Sequence, residues 1–400
     1  MKRWVGLLGI VMLAFGGNVV AQNEPPDYSQ YRVLDVQELD LYAAPANTAA
    51  HLAPDGTRFA HFDGENVCFY QRDGESWAED RCFALDTDAF RGTPEEVNWS
   101  PDGHYLTAPT FRQALMFFEE TDIQVLDSRT GKVMNLTDDG VEGGLLSESN
   151  WGDLDMAPVW LDDNTLRFIR YAPASNRAAD ASIIQSLSGA VFQVDLSSGG
   201  AAGDAEQVME LPGTGGLTSY FLALDPASGR MAINVDDMDN SPVTDSLWQS
   251  GAGGEPFDPL ASMGTVGPRY LGYSANGEWL MAIQPDPVGG GAGIALVDTV
   301  TGKVTSPDLA SEEFVEPHLM VAGWAPTGDA LAYTVRDAGN PDASGLYLAP
   351  APGEKGYLVL PGEFYGTTCC MGAPIRWASN DVIMVGRGPQ PGVLLVQVGL

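Results

Sequence analysis

A chain of 400 residues with 47 Gly and 27 Pro turns too often for a helical protein, while an apolar fraction of 44% is that of a globular one. Its 54 acidic residues against 20 basic ones leave a net charge of −34, a field that repels nucleic acid and anionic lipid surfaces and favours cations or basic partners. Solubility in a salty or extracellular medium is the plainer use of the same charge.

The first residues, MKRWVGLLGIVMLAFGGNVVAQ, carry a basic start at Lys2 and Arg3, then an apolar run from Trp4 to Phe15. Val19 and Ala21 are small enough for the −3 and −1 positions of a signal-peptidase site. The apolar run is short of the roughly 20 residues that span a bilayer. Cleavage near Ala21 is expected, followed by export to the periplasm or the medium as a soluble protein. No Cys adjoins the site, so a lipid anchor is not expected. The expected division is a signal peptide over 1–21, a linker over 22–30 and a single domain over 31–400.

Residues 31–42, YRVLDVQELDLY, form a strand that precedes any repeated unit. One phrase is then rewritten along the chain: HLAPDGTRFAHF, VNWSPDGHYLTAP, VWLDDNTLRFI, LALDPASGRMAINV, LGYSANGEWLMAI, AGWAPTGDALAYTV and IRWASNDVIMV. In each, an apolar run breaks at a turn and a second run follows. The turn residues Gly56, Gly103, Asn164, Gly229, Gly277, Gly328 and Asp381 recur at spacings of 47 to 65 residues, which signals a repeat architecture. Each unit supplies two further strands, such as DIQVLDSRTG with KVMNLTDD, or IALVDTVTG with KVTSPDLAS. Four strands per unit make one blade of a β-propeller. RQALMFFEE, residues 112–120, suits only a short helix in a loop insertion.

The last unit runs out of chain after three strands. Placing residues 31–42 as its outer strand pairs both chain ends and removes an open sheet edge. The prediction is an all-β, seven-bladed propeller of four-stranded blades, closed by the N-terminal strand. Six blades plus a separate cap is the alternative, since the first and fourth units match least well.

The phrase resembles the PD40 (WD40-like) repeat of TolB-type propellers and of the propeller domains in prolyl-oligopeptidase-like and tricorn-like proteases. VNWSPDGHYLTAP and AGWAPTGDALAYTV carry the resemblance best, and it covers nearly all of the mature chain. Residues 161–164 and 378–381 lack the Pro-Asp-Gly and read as variant turns. The resemblance implies a fold rather than an activity, because one propeller scaffold hosts many functions.

Trp99, Trp160, Tyr273, Trp324 and Trp377 hold one place in five repeats. Recurrence in register favours packing between blades over a ring of glycan-stacking aromatics. Function is sought instead where the repeats differ, on loops carried by the scaffold. The connections between second and third strands are long and dissimilar, as in TFRQALMFFEET and YAPASNRAADASIIQSLSG, and they share one face with the links between blades. The opposite face carries tight turns. On the elaborated face the candidate binding residues are Arg112, Phe117, Phe118, Trp151, Arg170, Tyr171 and Arg177, types enriched in binding hot spots. Asp236, Asp237 and Asp239 offer hard oxygen ligands for Ca²⁺, although their spacing is not that of an EF-hand.

Cys68 and Cys82 fall on adjacent strands of the first unit and are expected to pair. Cys369 and Cys370 are consecutive and face two fates, a vicinal disulfide or free thiols. The four histidines, His51, His61, His104 and His318, show no metal-binding spacing. GYSANG around Ser274 copies a blade turn and is not a nucleophile elbow. The expectation is therefore a non-catalytic exported propeller without a required cofactor, binding a protein or peptide partner of basic character across its long-loop face. Two alternatives stay open: a hydrolase or lyase acting on a polysaccharide or peptide through loop-face carboxylates, and a carbohydrate-binding or structural envelope component.

Overall fold

The recurrent turn is written into four residues. In the Ser-Pro-Asp-Gly of 100–103, Gly103 takes φ 65° and its N–H donates to the Ser100 carbonyl at 2.8 Å. The Ser100 hydroxyl accepts from the Tyr105 N–H at 2.9 Å, and Asp102 Oδ1 accepts from the His104 N–H at 2.9 Å. Residues 274–277 repeat the pattern with Asn276 in place of the aspartate: Ser274 Oγ accepts from Trp279 N–H at 3.1 Å, and Asn276 Oδ1 from Glu278 N–H at 3.0 Å. A short side chain with an acceptor oxygen suffices, which is why Asp and Asn exchange freely here. The variant turn at 161–164 is closed by Asp162 Oδ1, which accepts from Asn164 N–H at 2.9 Å and Thr165 N–H at 2.8 Å.

The computed structural model of the protein describes residues 25–39, 41, 49–63, 65–74, 76–85, 97–109, 121–138, 153–173, 187–198, 205–212, 219, 221–237, 244–264, 267–268, 270–285, 292–309, 313–365, 374–379, 381–387 and 392–400. The described strands form seven sheets, each of four strands in chain order except the last. The protein is a seven-bladed β-propeller, and the alternative of six blades plus a cap does not apply. The innermost strands of blades 1 to 6 are Ala49–Leu52, Asn98–Trp99, Leu154–Trp160, Leu222–Leu224, Tyr270–Tyr273 and Pro317–Trp324. Blade 7 has Arg376–Ala378 innermost, then Val382–Arg387, Val393–Gly399 and, from the other end of the chain, Arg32–Leu39. That last pairing runs antiparallel from Arg32 opposite Gly399 to Leu39 opposite Val393, as the spare strand predicted.

Among the described residues the core is not one centre but seven apolar clusters, one in each gap between neighbouring blades. Between blades 2 and 3, for example, Ile123 and Val125 meet Trp160, Phe168 and Val194. The repeated tryptophans stitch these gaps. Trp99 donates its indole N–H to the His51 carbonyl at 3.0 Å, Trp160 to that of Asn98 at 3.3 Å, and Trp324 to that of Gly272 at 2.9 Å. Each acceptor is the residue just before the aromatic position of the preceding blade. The aromatic set is therefore structural.

Within the expected linker, Tyr28 bonds Thr327 of blade 6 through its hydroxyl at 2.7 Å and packs edge-on against Trp377 of blade 7 at 5.2 Å. Tyr31 donates to Asp381 at 3.2 Å, and Tyr357 donates to the carbonyl of Tyr31 at 3.0 Å. Cys68 and Cys82 are joined by a disulfide, directly opposite on the third and fourth strands of blade 1.

Candidate central-channel site

Alternating antiparallel strands send first-to-second and third-to-fourth connections to one face, and all others to the opposite face. The described turns on the first face are tight, as at Asp127–Gly131 and Asp298–Gly302, where an aspartate Oδ1 accepts two successive N–H groups. Most of the long connections on the other face, with Arg112, Phe117, Phe118, Trp151, Arg177, Asp239, Cys369 and Cys370, lie outside the described residues. Asp236 and Asp237 close the strand Met231–Asp237, opposite Asp245 and Thr244.

One long-face connection, after Leu331–Asp337, is seen in full. Asp337 is 1% exposed, and its carboxylate accepts from the N–H groups of Val315 at 2.8 Å, Glu316 at 3.0 Å, Gly339 at 2.9 Å and Asn340 at 2.9 Å. Burial raises its pKa, but the four N–H donors more than offset this and leave it below the ordinary carboxylate value. Asp337 thus ties the connection to the residues that enter the innermost strand Pro317–Trp324.

The two described binding candidates face inward rather than outward. Arg170 grips Asp155 with two bonds of 2.7 Å, its guanidinium lying over the rings of Phe168 and Phe192. Asp155 is fully buried, and burial pushes its pKa up to about 6 against the opposing pull of Arg170. Tyr171 is 1% exposed; its hydroxyl accepts from Ser219 N–H at 2.9 Å and donates to the Ser219 carbonyl at 3.2 Å. Arg170 is thus engaged within blade 3, between its two inner strands, and Tyr171 ties blade 3 to the entry of blade 4. Their partners lie 15 and 48 residues away, a pairing that one-dimensional reading does not reveal.

The polar groups that sequence reasoning passed over lie on the innermost strands. The residue before the aromatic position in blades 1 to 7 is His51, Asn98, Val159, Ala223, Gly272, Gly323 and Arg376. Three consecutive blades, 7, 1 and 2, thus place Arg, His and Asn at this level, and blades 4, 5 and 6 place only small residues. Arg376 donates from Nη2 to the Val97 carbonyl at 3.3 Å, from blade 7 past blade 1 to the entry of blade 2. A cavity of about 210 Å³ is lined by blades 2 to 5, including Ala157, Val159, Phe221, Tyr270, Gly272 and Asn98, which directly follows the Val97 that Arg376 contacts. Ala157 sits on a bulge of its strand with φ 52°. A Cβ at Gly272 would collide with the Tyr270 hydroxyl, so the glycine makes room for it.

Arg376 and Tyr270 are both half-buried. Burial lowers the pKa of Arg376; burial raises that of Tyr270, with Arg376 acting against the rise. His51 is 2% exposed and is driven down to about 3, chiefly by burial and then by the charge of Arg376, so it is neutral. The clue available in the sequence was the register itself. This slot ranges from Gly to Arg, while its neighbour is aromatic in five of the seven blades and Leu in the other two.

No family model matches the chain, and no curated protein sequence does. Solved structures do. An oligogalacturonate lyase in complex with manganese superposes with TM-score 0.53 at 14% identity, over 92% of this chain and 98% of that one. An acylaminoacyl peptidase of Pyrococcus horikoshii gives 0.50 at 9% identity over 90% of this chain, which spans 53% of the peptidase. The C-terminal WD40 domain of Sif2 gives 0.45 at 12% identity over 87% of this chain and 80% of that domain. At such identities the likeness concerns the fold.

Proposed function

We propose that this protein is an exported, non-catalytic propeller of the TolB-like kind that binds a protein or peptide partner across the face bearing its long connections. The observation that carries the reading is the asymmetry of the two faces. One has tight self-satisfied turns, and the other has long dissimilar connections held on a rigid ring. Arg112, Phe117, Phe118, Trp151 and Arg177 are the contact residues in this reading. A net charge of −34 favours a basic partner and predicts association that weakens as salt rises. The leader over 1–21 delivers the chain to the periplasm or medium, and residues 31–400 act as one domain. No cofactor is required; a Ca²⁺ ion near Asp236, Asp237 and Asp239 would order one connection. Among the described residues no helix is long and apolar enough to cross a membrane.

The test is cross-linking of the mature protein in its native compartment, followed by measured binding of the recovered partner to the purified chain. Stoichiometric, salt-sensitive binding that is lost when Phe117, Phe118 and Trp151 become Ala is expected. Turnover of a polysaccharide or peptide that disappears with one loop-face carboxylate would replace this reading with the hydrolase or lyase one.

A further inference from the structure

We propose that the central channel is a binding site for a small organic monocarboxylate, its charge held by the Arg376 guanidinium and its apolar body by the wall formed by Ala157, Val159 and Phe221. A guanidinium carries five N–H donors. Its one hydrogen bond among the described residues is to the Val97 carbonyl, and no described carboxylate pairs with it. In a chain with 54 acidic residues a half-buried cation with no described carboxylate partner is an outlier, because withdrawing a cation from water is costly unless something compensates it. On the neighbouring blade, the Nε2 atom of buried His51 has no hydrogen-bond partner among the described residues. Among the described residues, donor capacity on Arg376 and the Nε2 atom of His51 are thus left on neighbouring blades, where an oxyanion would engage them.

The size and the lining narrow the ligand. A volume of about 210 Å³ falls below the roughly 300–1,000 Å³ of pockets for drug-sized molecules, so the ligand is small. Val159, Ala223 and Gly272 leave the opposite wall apolar and open, with the Tyr270 hydroxyl over Gly272 as a further donor. The strongly negative surface repels an anion in proportion to its charge, which favours a singly charged carboxylate over a multiply charged anion. A free acid and the carboxyl terminus of a peptide share this chemistry.

The experiment is calorimetric titration of the full mature protein with phenylacetate and with phenylacetamide, its neutral isostere. Phenylacetate is expected to bind about tenfold or more tightly than the amide, the ratio a charge-assisted pair provides. Arg376→Gln should bring the acid to the level of the amide. Equal binding of the two probes, no binding of the acid at millimolar concentration, or undiminished acid binding by Arg376→Gln overturns the proposal. Should Arg376→Gln fail to fold, Tyr270→Phe and Arg376→Lys carry the test: both should weaken the acid several-fold and leave the amide unchanged, and unchanged acid binding in both overturns it. A tripeptide ending in Phe, with a free or an amidated carboxyl terminus, separates the sources. Binding of the free-acid peptide alone assigns the site to a chain terminus, and binding of phenylacetate alone assigns it to a free acid.

Discussion

Single aspartates do much of the local work in this protein, and they do it as acceptors of backbone N–H groups. Asp337 is the fullest case, with four such bonds in a buried position. Asp337→Ala leaves those donors without an acceptor and is expected to cost about 2–4 kcal/mol of unfolding free energy, read from denaturant titration. The turn aspartates Asp102, Asp127, Asp162 and Asp298 are also held below the ordinary carboxylate pKa, as Asp337 is. A depressed folded-state pKa means that the unfolded chain takes up protons first. The stability these groups supply is present above the unfolded carboxylate pKa near 4 and is lost as pH falls through their folded values. Midpoints of denaturation measured from pH 7 to 3 should therefore fall mostly below pH 4. Asp155 has the opposite sign: its pKa is raised to about 6, so its own contribution declines as pH rises between about 4 and 6. Arg170→Ala would strand that buried carboxylate and should cost about 3–5 kcal/mol.

At the scale of the element, each blade is a complete antiparallel sheet whose faces are finished only by its neighbours. The indole bonds from Trp99, Trp160 and Trp324 to the preceding blade fix both spacing and register. Trp99→Phe keeps the ring and removes the donor, so the bond across the gap between blades 1 and 2 is lost; a loss of about 1 kcal/mol is expected, read from denaturant titration. Blade 1 has the additional staple of Cys68–Cys82, with a sequence separation of 14. Closing a loop of that length is worth about 3 kcal/mol in the chain-entropy account. Replacing both cysteines by Ser should lower the denaturation midpoint, with an effect that reduction of the native protein reproduces.

For the whole molecule, closure of the ring is decisive, because seven gaps exist only if the first and last blades meet. The strand Arg32–Leu39 completes blade 7, and Tyr28 and Tyr31 brace it against blades 6 and 7. Removing residues 25–39 exposes the edge of Val393–Gly399 and should convert a single cooperative thermal transition into a broad one with aggregation, followed by calorimetry and light scattering. Self-repulsion at a net charge of −34 also acts on the whole, so the midpoint should rise when salt is raised from low ionic strength to physiological values.

Residues read along the chain were enough to determine the blade count, the closing strand and the Cys68–Cys82 pair. All three depend on local turn chemistry repeated at regular spacing, and a repeat writes its geometry into composition and register. The same reading showed that Arg170 and Tyr171 end a strand near the long-loop face, but not that Asp155 and Ser219 claim their polar groups. It saw His51 and never singled out Arg376. These two come together only when blade 7 meets blade 1, since 325 residues separate them along the chain. Periodicity decides which surface of a strand is apolar; which unlike side chains meet at the axis is decided by ring closure, and the channel site is a product of that step.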